Sequence, residues 1–310
     1  MTTRLRGIAA LLAILAAASA CTTHATQRPA TPHDHPSPIA LRAAIHLLTS
    51  DSTSLQQTWY LARAEQFLDQ QCMHRAGYRY LTDPGPPPMA GTTTQDVLGT
   101  SHPATYGVVW TGPTRLPAED RYVNSLPTAQ RTRYVHTLTG TPGHAATLRL
   151  PSGVVVRYQT NGCLGTTRTT LYGSPTAAIE EQTIPQDMRI LRDSALNTDP
   201  AYLSALRGWR RCMRAAGWNY HSPEAAIQSL QFQATQAISR HHFDVTQAAV
   251  ASADRACDAR NGLRARARHA QAIFLRHQPS KLITTLQTLN LTRTAAYRHA
   301  LQVLSAHSPQ

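Results

Sequence analysis

From residue 55 onward, apolar side chains return every three to four positions over most of the chain, the period of a helix with one buried face. The first clear case runs from Leu55 to Ala76, where Leu61, Ala64, Leu68 and Cys72 share a side, flanked by Trp59, Tyr60 and Phe67. Gly77 ends it, because glycine reaches the left-handed conformation that closes a helix at little steric cost. Asp83 to Gly85 and the Pro86-Pro87-Pro88 run then force a loop. Pro127 opens a short helix through Leu138 that Gly140 closes. Thr147 to Leu150 and Val154 to Gln159, on either side of Pro151-Ser152-Gly153, read as a β-hairpin. Asn161-Gly162-Cys163 leads into a further helix reaching Leu171.

The last third is helical throughout: Tyr202 to Ala216, a Ser222-Pro223 start, an alanine-rich stretch to Asn261, and Ser280 to Leu304. In the last of these, Leu282, Leu286, Leu289, Tyr297, Leu301 and Leu304 line one face. The expected fold is mainly α, a helical domain with a small β-hairpin in the middle.

The first 38 residues have a different character. Arg4 and Arg6, an apolar run from Ile8 to Ala18 and the small residues Ala18-Ser19-Ala20 placed before Cys21 make a secretory signal over residues 1–20. The run is too short for the roughly 20 residues that a bilayer-spanning helix needs. Residues 21–38 hold Pro29, Pro32, Pro36 and Pro38 among threonines and polar residues, a composition that favours extended, solvated chain and reads as a tether. His33-Asp34-His35 belongs to that linker, since two imidazoles on a mobile strand lack the supporting shell that a metal site needs. Residues 39–175 then form an N-terminal half of helix, loop, hairpin and helix, and residues 176–310 a helical C-terminal half.

Five cysteines are an odd number. If Cys21 is acylated and becomes the new amino terminus, Cys72, Cys163, Cys212 and Cys257 remain as an even set for two disulfides in an oxidising compartment. Ala18-Ser19-Ala20 also satisfies the A-x-A rule of ordinary signal peptidase, which would release a soluble protein beginning at Cys21. The 30 basic residues exceed the 17 acidic ones by 13, and Lys281 is the only lysine. On the outer face of a membrane this excess suits anionic lipid headgroups or phosphate-bearing wall polymers as partners, while nucleic acid is not expected there.

The most specific internal signal is a duplication. Cys72-Met73-His74-Arg75-Ala76-Gly77-Tyr78-Arg79-Tyr80 returns as Cys212-Met213-Arg214-Ala215-Ala216-Gly217-Trp218-Asn219-Tyr220. Each copy is followed by one more cysteine, which suggests that Cys72 pairs with Cys163 and Cys212 with Cys257. Four cysteines allow three pairings, and the other two stay open at this level.

The leader, both Cys-Met-x-x-Ala-Gly-aromatic-x-Tyr elements, Asn161-Gly162-Cys163 ahead of Leu171-Tyr172-Gly173, and Asp254-Arg255-Ala256-Cys257 together resemble a family of exported lipoproteins of unassigned function from GC-rich actinobacteria. The resemblance implies a lipid-anchored, extracytoplasmic protein, and carries no catalytic or binding residue over to this chain.

Signatures of the common enzyme classes are absent: there is no Gly-rich phosphate loop, no His-Glu-x-x-His and no Gly-x-Ser-x-Gly. No cofactor or metal is expected. Glu180-Glu181 are adjacent, point in different directions and read as a solvated helix face; His241-His242 read as exposed polar residues. Cys72 near His74 reads as a disulfide partner rather than a nucleophile. Tyr78, Tyr80, Trp218 and Tyr220 read as packing beside the disulfides rather than as a ligand platform. Arg260, Arg264 and Arg268 recur at four residues as a basic stripe, thickened by Arg266 and His269, that can meet an anionic surface. The expected function is non-enzymatic binding or scaffolding at the outer membrane face. The alternative is a wall-acting enzyme or accessory factor, which a cleft with converging carboxylates would favour over a broad Arg-lined face.

Overall fold

The computed structural model describes residues 36–49, 52–81, 105–112, 118–236 and 238–306. The leader, Cys21, the tether up to residue 35 and the Pro86-Pro87-Pro88 loop lie outside them. Eleven α-helices and one hairpin fall among the described residues.

Ser37 and Pro38, read from sequence as the end of the tether, instead start a helix, α1 (Pro38–Leu48). The Ser37 hydroxyl accepts the Ala40 amide at 3.1 Å, and Pro38 occupies a first-turn position whose missing N–H needs no partner. The same device starts α6 (Pro175–Leu196) through Ser174 and α8 (Pro223–Ala234) through Ser222, and Asp199 does the equivalent for α7 (Pro200–Ala215). α2 (Ser52–Arg75) carries the first cysteine element. α3 (Ala118–Ser125) and α4 (Thr128–Thr139) follow, and then β1 (Ala145–Arg149) and β2 (Val155–Gln159) pair antiparallel. α5 (Gly162–Tyr172), α9 (Arg240–Asn261), α10 (Leu263–Arg276) and α11 (Ser280–Ser305) complete the set.

The two cysteine elements end their helices identically. Gly77 and Gly217 take φ of 83° and 87°, and the amides of Tyr78 and Trp218 reach back to the carbonyls of Met73 and Met213, both at 2.9 Å. Met73 and Met213 are both buried, whereas each aromatic pair is half-buried. Both bridges join the cysteine to a later helix: Cys72–Cys163 with Cα atoms 5.6 Å apart, and Cys212–Cys257 at 5.5 Å. Gly208, one turn before Cys212, lies where a Cβ would stand 2.1 Å from Asn261 Oδ1, so the absence of a side chain lets α7 and α9 close to disulfide distance.

Packing crosses the expected boundary at residue 175. α1 meets α6, α10, α11 and the hairpin in one apolar cluster, α2 meets α5 and α11 in another, and a third surrounds the first disulfide. The largest holds α7 to α10, yet its centre includes Tyr106 from the N-terminal stretch. Residues 105–112 are strapped onto it, with the Val108 amide on Gln247 Oε1 at 2.7 Å and the Thr111 and Gly112 amides on the Ala234 carbonyl at 3.0 Å. Arg192, itself buried, donates to the Leu48 carbonyl at 2.9 Å and to Gln271 at 3.1 Å, which supplies partners at the C-terminal end of α1.

Candidate functional site

The stripe of Arg260, Arg264 and Arg268 is not a single surface. α9 ends at Gly262, which has φ 63°, so Arg260 belongs to α9 while Arg264 and Arg268 belong to α10. Arg260 and Arg268 are exposed, and Arg264 is turned inward with its side chain 3% exposed. Its guanidinium forks onto Asp254, Nη2 to Oδ2 at 2.6 Å and Nη1 to Oδ1 at 3.2 Å. Its own amide donates to Asp258 Oδ1 at 2.8 Å. Asp254 is wholly buried and also accepts the Tyr106 hydroxyl at 2.7 Å and the Trp209 indole N–H at 2.8 Å. Burial works against the Arg264 charge, but its hydrogen bonds to Asp254 and the charges of Asp254 and Asp258 outweigh it and raise its pKa. Tyr106 is held well above the usual tyrosine range by burial and by the Asp254 charge. Arg264 is therefore an internal bolt that joins α9, α10, α7 and the strap.

The exposed arginines form a different arrangement. On α7, Arg207, Arg211 and Arg214 are exposed and fall within about 60° of one another at 100° per residue. Tyr202, Leu206, Trp209 and Met213 occupy the buried side of that helix. Arg260 comes from α9 toward the same helix, with Nη1 3.9 Å from Cys212 Sγ. Arg266 and Arg268 are exposed on α10. Among the described residues the fold buries Asp69, Glu181, Asp187, Asp254 and Asp258 but only two arginines, Arg192 and Arg264. Among the described residues, buried acids therefore outnumber buried arginines, so the exposed charged groups are weighted toward arginine. Sequence spacing missed the α7 row, although its three arginines lie at the i, i+4, i+7 positions that could have revealed it.

Glu181, expected on a solvated face, is instead buried and meets Arg293 at 3.1 Å, because α6 turns this position onto α2 and α11 while Glu180 stays on the rim. Asp69 lies buried in the same region and accepts the Thr167 hydroxyl at 2.6 Å. Glu65 accepts Gln182 Nε2 at 3.2 Å and is engaged by Tyr172. Burial raises the pKa of all three carboxyls, against the Tyr172 hydrogen bond at Glu65, Thr167 at Asp69 and Arg293 at Glu181. Glu65 reaches about 6. These acids converge at a helix junction and are each matched to a local donor. The open groove of about 410 Å³ beside α11 is lined by Glu180, Lys281 and threonines, with Glu180 its one carboxylate.

A raised carboxyl pKa means that the folded state holds its proton more tightly than the unfolded chain does, so this contribution to stability is full below about pH 4.5 and is lost as pH rises through about 6. Glu65→Gln keeps the shape without the charge and is expected to stabilise the protein at pH 7 by up to about 2 kcal/mol. Urea unfolding of both forms at several pH values checks this, and an identical pH slope between 4.5 and 6 would refute it.

Tyr78 packs edge-on to buried Tyr134 at 5.3 Å, and Trp218 stacks on Tyr220 at 6.3 Å. Both pairs lean on the cores beside their disulfides, as packing residues. His241 and His242 are exposed in the first turn of α9. No protein-family model, curated protein or solved structure matches this chain.

Proposed function

We propose that the chain is an exported protein, anchored by an acylated Cys21 at the outer face of the cell membrane, whose helical domain binds a phosphate-bearing surface without catalysis. The observation that carries this is the separation of charge: carboxylates are drawn into the interior while Arg207, Arg211 and Arg214 stand in one exposed row. Arginine matches phosphate with a planar, multiply donating fork, and headgroups and wall polymers both present phosphate. Two disulfides suit the oxidising side of the membrane.

The test uses the mature chain with Cys21→Ser, which cannot be acylated. It is expected to bind vesicles of anionic phospholipid or soluble polyphosphate at low salt and to weaken toward physiological salt. Arg207→Gln/Arg211→Gln/Arg214→Gln is expected to cost about 3 kcal/mol of that binding at about 1 kcal/mol per arginine charge removed. Affinity indifferent to salt and to this triple change would remove the proposal. The anchor is checked separately, by the lipid mass increment of the mature wild-type chain.

A further inference from the structure

We propose that the tip of the β-hairpin is an apolar membrane contact, with Val154 and Val155 entering the interfacial layer of an anionic bilayer between Arg149 and Arg157. This rests on the surface-binding reading above and narrows its partner to lipid.

Val154 and Val155 are 57% and 50% exposed, and among the described residues they are the only large exposed apolar side chains adjacent in sequence. A single exposed valine is ordinary, but here two consecutive ones, both at least half exposed, follow the turn at the start of β2. The register places Val155 opposite Arg149 and Arg157 opposite Thr147, so all four side chains share the outward face. Both arginines are exposed, and residues 145–159 contain no carboxylate. The inward residues Leu148, Leu150 and Val156 are committed to the core around α1, α6 and α11, and the Tyr158 hydroxyl donates to Thr176 at 2.9 Å.

The tip is also rigid. Asp187 on α6 accepts both the Ser152 amide and its hydroxyl, at 2.9 and 2.6 Å, which engages that carboxylate and fastens the turn. Within the turn the Leu150 amide donates to the Val154 carbonyl at 2.8 Å, and Arg149 Nη1 donates to the Gly153 carbonyl at 3.2 Å. Insertion therefore costs little ordering entropy. A hydrated polymer of phosphate and hydroxyl groups offers valine no apolar phase. A bilayer interface offers one directly beneath the phosphates that the flanking arginines bind.

The experiment compares the mature Cys21→Ser chain with Val154→Thr/Val155→Thr, which keeps shape, charge and strand propensity but replaces two methyls by hydroxyls. Vesicles of phosphatidylglycerol and phosphatidylcholine are the lipid probe, and polyphosphate is the polymer probe. The double change is expected to weaken vesicle binding roughly tenfold and to leave polyphosphate binding unchanged, with Val154→Leu/Val155→Leu shifting vesicle binding the other way. Vesicle binding that is the same in all three forms would overturn the hairpin contact while leaving the arginine reading intact. Binding of polyphosphate without vesicles would also overturn it and identify polymer as the partner, and binding of neither would remove both proposals.

Discussion

Asp254→Ala is expected to destabilise the protein by about 3 to 5 kcal/mol, the range for breaking a buried ion pair from one side. The carboxylate at this position has no exposed surface and receives Arg264, the Tyr106 hydroxyl and the Trp209 indole at once. Its removal leaves a buried guanidinium with a single, more distant acid, Asp258 at 3.8 Å, and two buried donors without a partner. Each orphaned donor adds a desolvation penalty. Replacing both members, Asp254→Leu with Arg264→Met, is expected to cost less than the sum of the two single changes, because the guanidinium and its main carboxylate leave together while Asp258 keeps the amide of residue 264. Denaturant unfolding of the three variants decides it, and a loss below about 1 kcal/mol in Asp254→Ala would show that the centre is not a bolt.

Removal of the second disulfide comes next in size. By the chain-entropy account, releasing the 45-residue separation between Cys212 and Cys257 costs about 4 kcal/mol. The loss is expected to concentrate in the cluster of α7 to α10 and in the strap, so that the Val108 and Thr111 amides gain hydrogen exchange before those around Cys163. Cys257→Ala alone should leave Cys212 as a free thiol 3.9 Å from the Arg260 guanidinium, a neighbour that favours thiolate and hence alkylation. Peptide mapping under non-reducing conditions should find Cys72–Cys163 still closed. Exchange spread evenly over both disulfide regions would instead mean one cooperative core.

Much of this architecture was legible because it is written in local rules. Period, cap and stop residues locate α2, α4, α5, α7 and α11 to within a few positions, together with the start of α8 and the end of α9, and Pro151-Ser152-Gly153 locates the hairpin; the break between α8 and α9 after Ala234 is not marked in the pattern. The disulfide partners followed from a duplicated helix ending followed in each case by one later cysteine, and the structure has that pairing. α1 is hidden because Ser37-Pro38 reads as part of the proline-rich tether, though the same pair reads as a helix start at Ser222-Pro223. α6 escaped because Pro185 and the run Glu180-Glu181-Gln182 break its apolar period. The helix nevertheless continues through Pro185, with Ile184 and Met188 buried against α1 and α11.

What the sequence by itself determined is the set of helices that announce their own ends, the hairpin and the overall basic charge; it suggested the cysteine partners, and the structure chose them among three pairings. Only tertiary structure decided which charges are surface. Gly262 in the left-handed conformation interrupts the helix between Arg260 and Arg264, and that break sends Arg264 to Asp254 while Arg260 stays in solvent. A helical period predicts orientation only while one helix continues. Likewise the pair Glu180-Glu181 reads as surface by composition, but Arg293, more than a hundred residues away, supplies the partner that allows Glu181 inside. Burying a charge depends on a compensating group brought from elsewhere in the fold, and such pairings leave no mark in local spacing.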